Sequence, residues 1–113
     1  MSEPKLQPSG TDYSVTVITR LALEISIASL TKALAVEWAR HGIRVNAIGP
    51  GPTDTPMTAS SDQATADRLA SRSPIGRRLL PEEVASTVVF LSSPESVAIT
   101  GQLLMVDGGW TAS

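Results

Sequence analysis

Apolar residues recur every three or four positions from Arg20 to Arg40, and this repeat is the strongest structural signal in the chain. Leu23, Ile27, Leu30, Leu34 and Trp38 fall on one stripe, with Leu21, Ile25, Ala28, Ala35 and Ala39 beside it. At about 100° per residue, Ser26, Ser29, Glu37 and Arg40 collect on a narrow polar face. The spacing predicts a helix over 20–40 whose wide apolar arc needs cover on more than one side. His41-Gly42 ends it, because glycine suits the left-handed position just past a helix.

The pattern then changes period. "IRVNAI" (43–48) is a β-branched run bounded by Gly42 and Gly49-Pro50-Gly51, hence a strand. "GPGPTDTPM" cannot be helical, since its prolines lack amide protons and push their predecessors toward extended backbone. A second helix is predicted over 61–72, capped by Ser60 or Ser61, and "SPIGRRLL" reads as a loop. Pro81 opens a third helix at its favoured first position, with Glu82 and Glu83 at the positive end of the dipole. Val84, Val88 and Leu91 form its buried stripe, "SSP" stops it, and "QLLMVDGG" is a last strand. "SVTVIT" (14–19) reads equally as a short strand or as an irregular lead-in. Residues 1–13 lack periodicity and are expected to be a flexible tail, leaving 14–113 as one α/β domain. Runs such as "IRVNAI" and "LLMV" suit parallel strands buried on both faces.

Composition narrows the functional classes. A net charge of −2, a pI near 5.2 and 4% aromatic residues leave neither a basic footprint nor a stacking surface for nucleic acid. The 42% hydrophobic content is that of a globular protein. Cysteine is absent and His41 is the only histidine, so no thiolate or His cluster is available to bind a metal. No apolar run approaches the ~18 residues of a membrane span, and "MSEPKLQPSG" has no signal-peptide core. The expected location is the cytoplasm.

From about Ile27 to Thr111 the chain resembles the C-terminal half of the short-chain dehydrogenase/reductase family. The resemblance is carried, in order, by "ASLTKALAVEWARHGIRVNAIGPG", "TDTPM", "PIGRRLLPEEVA", "VVFLSSPES" and "ITGQLLMVDGGW". It implies a partial Rossmann-like, doubly wound fold: a long helix, two or three strands and two further helices. It also implies a family role in NAD(P)-dependent oxidoreduction of alcohols and carbonyls. By resemblance, the backbone of Pro50, Gly51 and Thr53, with Thr55, would touch the nicotinamide carboxamide or phosphates. The alternative is that Pro50-Gly51-Pro52 is simply a rigid turn. The family's pyrophosphate turn follows a pattern like Gly-x-x-x-Gly-x-Gly, which glycines 10, 42, 49, 51, 76, 101, 108 and 109 nowhere produce. Tight binding of NAD(P) is therefore not expected.

Family members also carry Tyr-x-x-x-Lys at the start of the long helix, the tyrosine as general acid/base and the lysine lowering its pKa and holding the ribose. Aligned on "ASLTKALA", those positions hold Arg20 and Glu24, which read better as an i,i+4 ion pair. Tyr13 lies in the expected tail and does not replace the family's tyrosine. Because the motif match begins near Ile27, an unrelated leader joined by truncation or frameshift is expected before it. The reading is a self-associating remnant without dehydrogenase activity, a homodimer or homotetramer built through helix 20–40 and through the C-terminal helix and strand. The alternative is an enzyme with residual nicotinamide-dependent reductase activity, or with an acquired one such as ester hydrolysis using His41 as base. For that chemistry the chain lacks a Gly-x-Ser-x-Gly elbow.

Overall fold

The computed structural model describes residues 13–18, 24–54 and 63–113. In chain order the elements are strand β1 (Tyr13–Ile18), helix α1 (Glu24–Trp38), strand β2 (Ile43–Pro50), helix α2 (Gln63–Ser71), helix α3 (Pro81–Ser92) and strand β3 (Leu103–Val106). Short 3₁₀ turns follow α1, α3 and β3. The strands form one parallel sheet in the order β1-β2-β3. Tyr13 pairs with Ile43 and Ile18 with Ile48, while Ala47 pairs with Leu103 and Pro50 with Val106. The fold is α/β and partial Rossmann-like. The segment after residue 13 is thus a strand rather than an irregular lead-in, and it starts at Tyr13, one residue before the predicted Ser14.

β2 is the centre of the molecule. Arg44 through Gly49 are all buried, because strands lie on both edges and helices on both faces. Side chains alternate across a strand. Ile48, fully buried, packs with Leu79, Val84 and Leu91, and half-buried Val88, Ile99 and Val106 close that cluster on the α3 side. Val45 and Ala47 point the other way, into the face that α1 covers. The predicted α3 stripe of Val84, Val88 and Leu91 is the observed one.

For α1 the structure shifts the buried face. The predicted stripe was centred on Leu30 and Leu34, yet Leu30 is 54% exposed and Ile27, Leu34 and Trp38 are only half-buried. Among the described side chains of α1, the ones buried against the sheet are Thr31 and Ala35. The reason is close approach: the Ala35 methyl lies 3.3 Å from where a Cβ on Gly101 would stand, leaving no room for a leucine. The Thr31 hydroxyl is satisfied internally by donating to the Ile27 carbonyl at 2.6 Å. Gly42 ends the helical segment with φ 73°, the predicted left-handed cap. Residues 20–23 and the side chains of Glu24 and Ile25 lie outside the described residues, as do the predicted caps Ser60 and Ser61.

Two polar side chains inside the sheet are matched by one loop. Arg44, 6% exposed, donates from Nη1 to the Ser96 carbonyl (3.0 Å) and hydroxyl (3.2 Å) and to the Ile99 carbonyl (3.2 Å). Its Nη2 donates to the Ser93 carbonyl at 3.3 Å, so the guanidinium caps the negative end of α3. Asn46 donates to the Ile99 carbonyl (2.9 Å) and accepts from the Gln102 amide (3.1 Å). These bonds fix the chain entering β3. Replacing Ile48 by Ala is expected to cost about 3 kcal/mol, the usual penalty for emptying a closed core site. Urea unfolding followed by circular dichroism measures it, and a loss below about 1 kcal/mol would show that the core closes around the void.

Candidate functional site

In a parallel sheet every strand ends at the same edge, and ligands of open α/β folds bind in the crevice beyond that edge. Here the edge gathers the ends of β1, β2 and β3 and the turn Pro50-Gly51-Pro52-Thr53. The crossover from β1 through α1 to β2 brings the first residue of α1, Glu24, to the same edge. Arg20 and Thr55 lie outside the described residues, so their predicted roles are not placed.

The turn is held from two sides. The Gly51 amide donates to the Val106 carbonyl at 3.0 Å, continuing the β2–β3 ladder by one residue. A Cβ on Gly51 would stand 2.8 Å from Asp107 Cα, so only glycine allows that approach. On the other side Leu79 donates its amide to the Pro52 carbonyl and accepts from the Asp54 amide, both at 2.8 Å. Thr53 pairs with Leu79 in a parallel bridge, and its hydroxyl donates to the Gly51 carbonyl at 2.9 Å. Arg78 and Asp54 add an ion pair at 3.6 Å. Leu79 is thus a buried anchor within the stretch read from the sequence as a plain loop, with no periodicity around it to reveal the role.

Beside the turn, Asp107 organises the end of β3. Its carboxylate, 7% exposed, accepts from the Gly109 amide (3.0 Å), the Thr111 amide (3.0 Å) and the Thr111 hydroxyl (2.6 Å). Burial would raise its pKa, but these donors outweigh burial and hold the carboxyl below its ordinary value. Glu83 is lowered to about 2 by its paired hydrogen bonds to Arg77 and by the Leu80 amide that it accepts. That second contact caps the start of α3. His41 lies at the opposite edge of the sheet, in the exposed turn before β2, where its Nε2 accepts from Arg40 Nε at 3.2 Å. It is not part of this crevice. Among the described residues no group of His, Asp and Glu side chains could hold a metal ion. No helix among them is long and apolar enough to cross a membrane.

A family model described as enoyl-(acyl carrier protein) reductase matches residues 9–111. The chain belongs to the short-chain dehydrogenase/reductase family. It is 45% identical over 91 residues to cis-4-hydroxycyclohexanecarboxylate dehydrogenase of Sinomonas cyclohexanicum, covering 80% of this chain and 36% of that protein. It is 40% identical over 102 residues to 3-oxoacyl-(acyl carrier protein) reductase of Thermotoga maritima, covering 90% of this chain and 39% of the relative. The crystal structure of a gluconate 5-dehydrogenase from Burkholderia cenocepacia, in complex with NADP and tartrate, superposes with a TM-score of 0.81 at 30% identity. That superposition covers 91% of this chain and 46% of the enzyme. The chain therefore spans between about a third and just under half of the length of these relatives.

The match beginning at residue 9 corrects the expectation that nothing before Ile27 belongs to the family. β1 has a generic β-branched pattern without motif residues; the family-model match covers it, and its parallel pairing with β2 places it in the sheet. A carboxyl whose folded pKa lies below its unfolded value adds stability above the unfolded value, near about pH 4, and loses it as pH falls through the folded value. Asp107 and Glu83 both act in this direction. Asp107→Asn should cost roughly 1–3 kcal/mol at pH 7 and flatten the decline in stability on acidification below about pH 4. Denaturant melts across pH 2–7 test it, and an unchanged acid slope would remove Asp107 from that role.

Proposed function

We propose that this chain is a self-associating partial short-chain dehydrogenase/reductase that carries out no hydride transfer of its own. One observation carries the reading: Arg20 and Glu24 stand where the resemblance puts the family's tyrosine and lysine. A guanidinium keeps its proton near neutrality and cannot act as the acid/base at a substrate oxygen. A carboxylate one turn on would oppose a phenolate rather than favour it. The glycine spacing supports the same conclusion, since no loop has the pattern that converges backbone amides on a pyrophosphate.

The Pro50–Thr53 turn is read here as rigid structure. The Gly51 amide, the Pro52 carbonyl and the Thr53 hydroxyl are all engaged within the chain, which favours support over cofactor contact. NAD(P) binding by this chain alone is accordingly expected to be weaker than about 10 μM. Calorimetric titration with NADH and NADPH measures it. A tighter constant would need roughly 7 kcal/mol from residues present here and would overturn the reading.

Self-association is supported by apolar surface on two sides of the fold. Leu30 and Val36 on α1 are 54% and 81% exposed, and Val36 lines a groove with Lys32, Ala35, Ala39, Thr100 and Gln102. Val89 and Phe90 on α3 and Leu104 on β3 are also exposed. A second copy covering such faces, in a homodimer or homotetramer, removes them from water by symmetry. Light scattering at tens of micromolar is expected to give a multiple of 11.8 kDa. Leu30→Glu with Val36→Glu should shift it toward monomer without unfolding, because both side chains face solvent within one copy. A stable wild-type monomer, or an assembly indifferent to both charges, would sink the proposal.

A further inference from the structure

Helix α2 stands apart from the rest of the fold. Among the described residues none of its side chains is fully buried, Thr65, Leu69 and Ala70 being half-buried, and its contacts with the other helices and strands are few. Its position must then come from its joints. The joint that the structure describes is the C-terminal one, where the helix runs through Arg72 into a loop bound to the end of β3.

That loop is firmly seated. Ser73, 5% exposed, closes the helix end by donating its amide to the Ala70 carbonyl at 3.2 Å. Its hydroxyl donates to the Gly108 carbonyl at 3.1 Å, with the Asp107 carbonyl at 3.4 Å, and the Ile75 amide donates to Gly108 at 3.2 Å. Gly108 and Gly109 have φ of 64° and 91°, and a Cβ on either would collide with Ile75 and Ser73 or with Pro74. The glycine pair therefore lets the loop lie directly on the turn. Beyond it, Trp110 is held in the 3₁₀ turn that Asp107 organises, its own amide donating to the Asp107 carbonyl at 3.2 Å.

One contact ties the helix side of this joint to that turn. The guanidinium carbon of Arg72 lies 4.7 Å from the centre of the Trp110 ring, within cation–π range. Ser73 fixes where the joint is; Arg72 on Trp110 restricts how the helix swings about it. We propose that Arg72 and Trp110 form a latch that sets the position of α2, which makes the turn after β3 the positioning element for that helix. The buried carboxylate of Asp107 serves the latch indirectly, by holding Trp110 in place.

Hydrogen exchange on the full chain, read by mass spectrometry over α2 and β2 peptides, tests the latch. Arg72→Ala is expected to speed exchange in α2 roughly two- to fivefold, the range set by an exposed cation–π contact, with β2 unchanged. Arg72→Lys keeps the cation and should recover part of the protection. In a Trp38→Phe background, where Trp110 is the only tryptophan, Arg72→Ala should also shift the emission of Trp110. Arg72 is exposed, so its loss leaves the core intact. The proposal is overturned by α2 exchange that Arg72→Ala leaves unchanged, or by wild-type α2 already exchanging at the rate of an unstructured peptide. Equal acceleration in α2 and β2 also overturns it, since Arg72 would then be a general stabiliser.

Discussion

The fold depends on burying β2 on both faces. From Arg44 to Gly49 every residue of this strand is buried, so α1 and α3 must cover opposite sides and β1 and β3 must pair with its two edges. Two of those buried residues are polar, and an unmatched guanidinium or amide there would cost several kcal/mol. The loop Ser93–Gln102 supplies the acceptors and a donor, which ties the end of α3 to the start of β3. A requirement for polar satisfaction in the middle strand thereby places the last third of the chain.

The same economy governs the C-terminal edge of the sheet. Leu79 and Val106 are far from it in sequence, yet each braces the turn at Pro50-Gly51-Pro52-Thr53, and Gly51 lets Asp107 approach it closely. The result is a stiff platform at the edge of the sheet beyond which open α/β folds bind their ligands. Stiffness and chemistry are separable here. On the reading proposed above, the scaffold is kept while Arg20 and Glu24 stand where the resemblance puts the family's tyrosine and lysine.

Helix α1 shows how a helix can be apolar almost all round and still bury little within one copy. Among its described side chains the fully buried ones are the small Thr31 and Ala35, while larger ones such as Leu30 and Val36 are turned outward. A hydrophobic residue count alone would place the leucines inside. The distance between helix axis and sheet decides otherwise.

Much was legible from residue order alone: the class of fold, the start of α3 at Pro81, its Val84–Leu91 stripe, the left-handed cap at Gly42 and the β-branched strand at Ile43. These features are local, set by periodicity, by proline's missing amide and by glycine's freedom at positive φ. The family resemblance was legible too, except at β1, whose pattern is generic. What only the tertiary structure decided is which residues meet across distance. Nothing local marks Leu79 as the partner of Pro52 and Asp54, Ser96 as the acceptor for Arg44, or Trp110 as the surface on which Arg72 rests. The face of α1 that packs was also undecidable from its own sequence, because a helix with apolar residues on most of its circumference presents several usable faces. The choice fell to Ala35 because Gly101, on a separate segment, lets the two backbones approach.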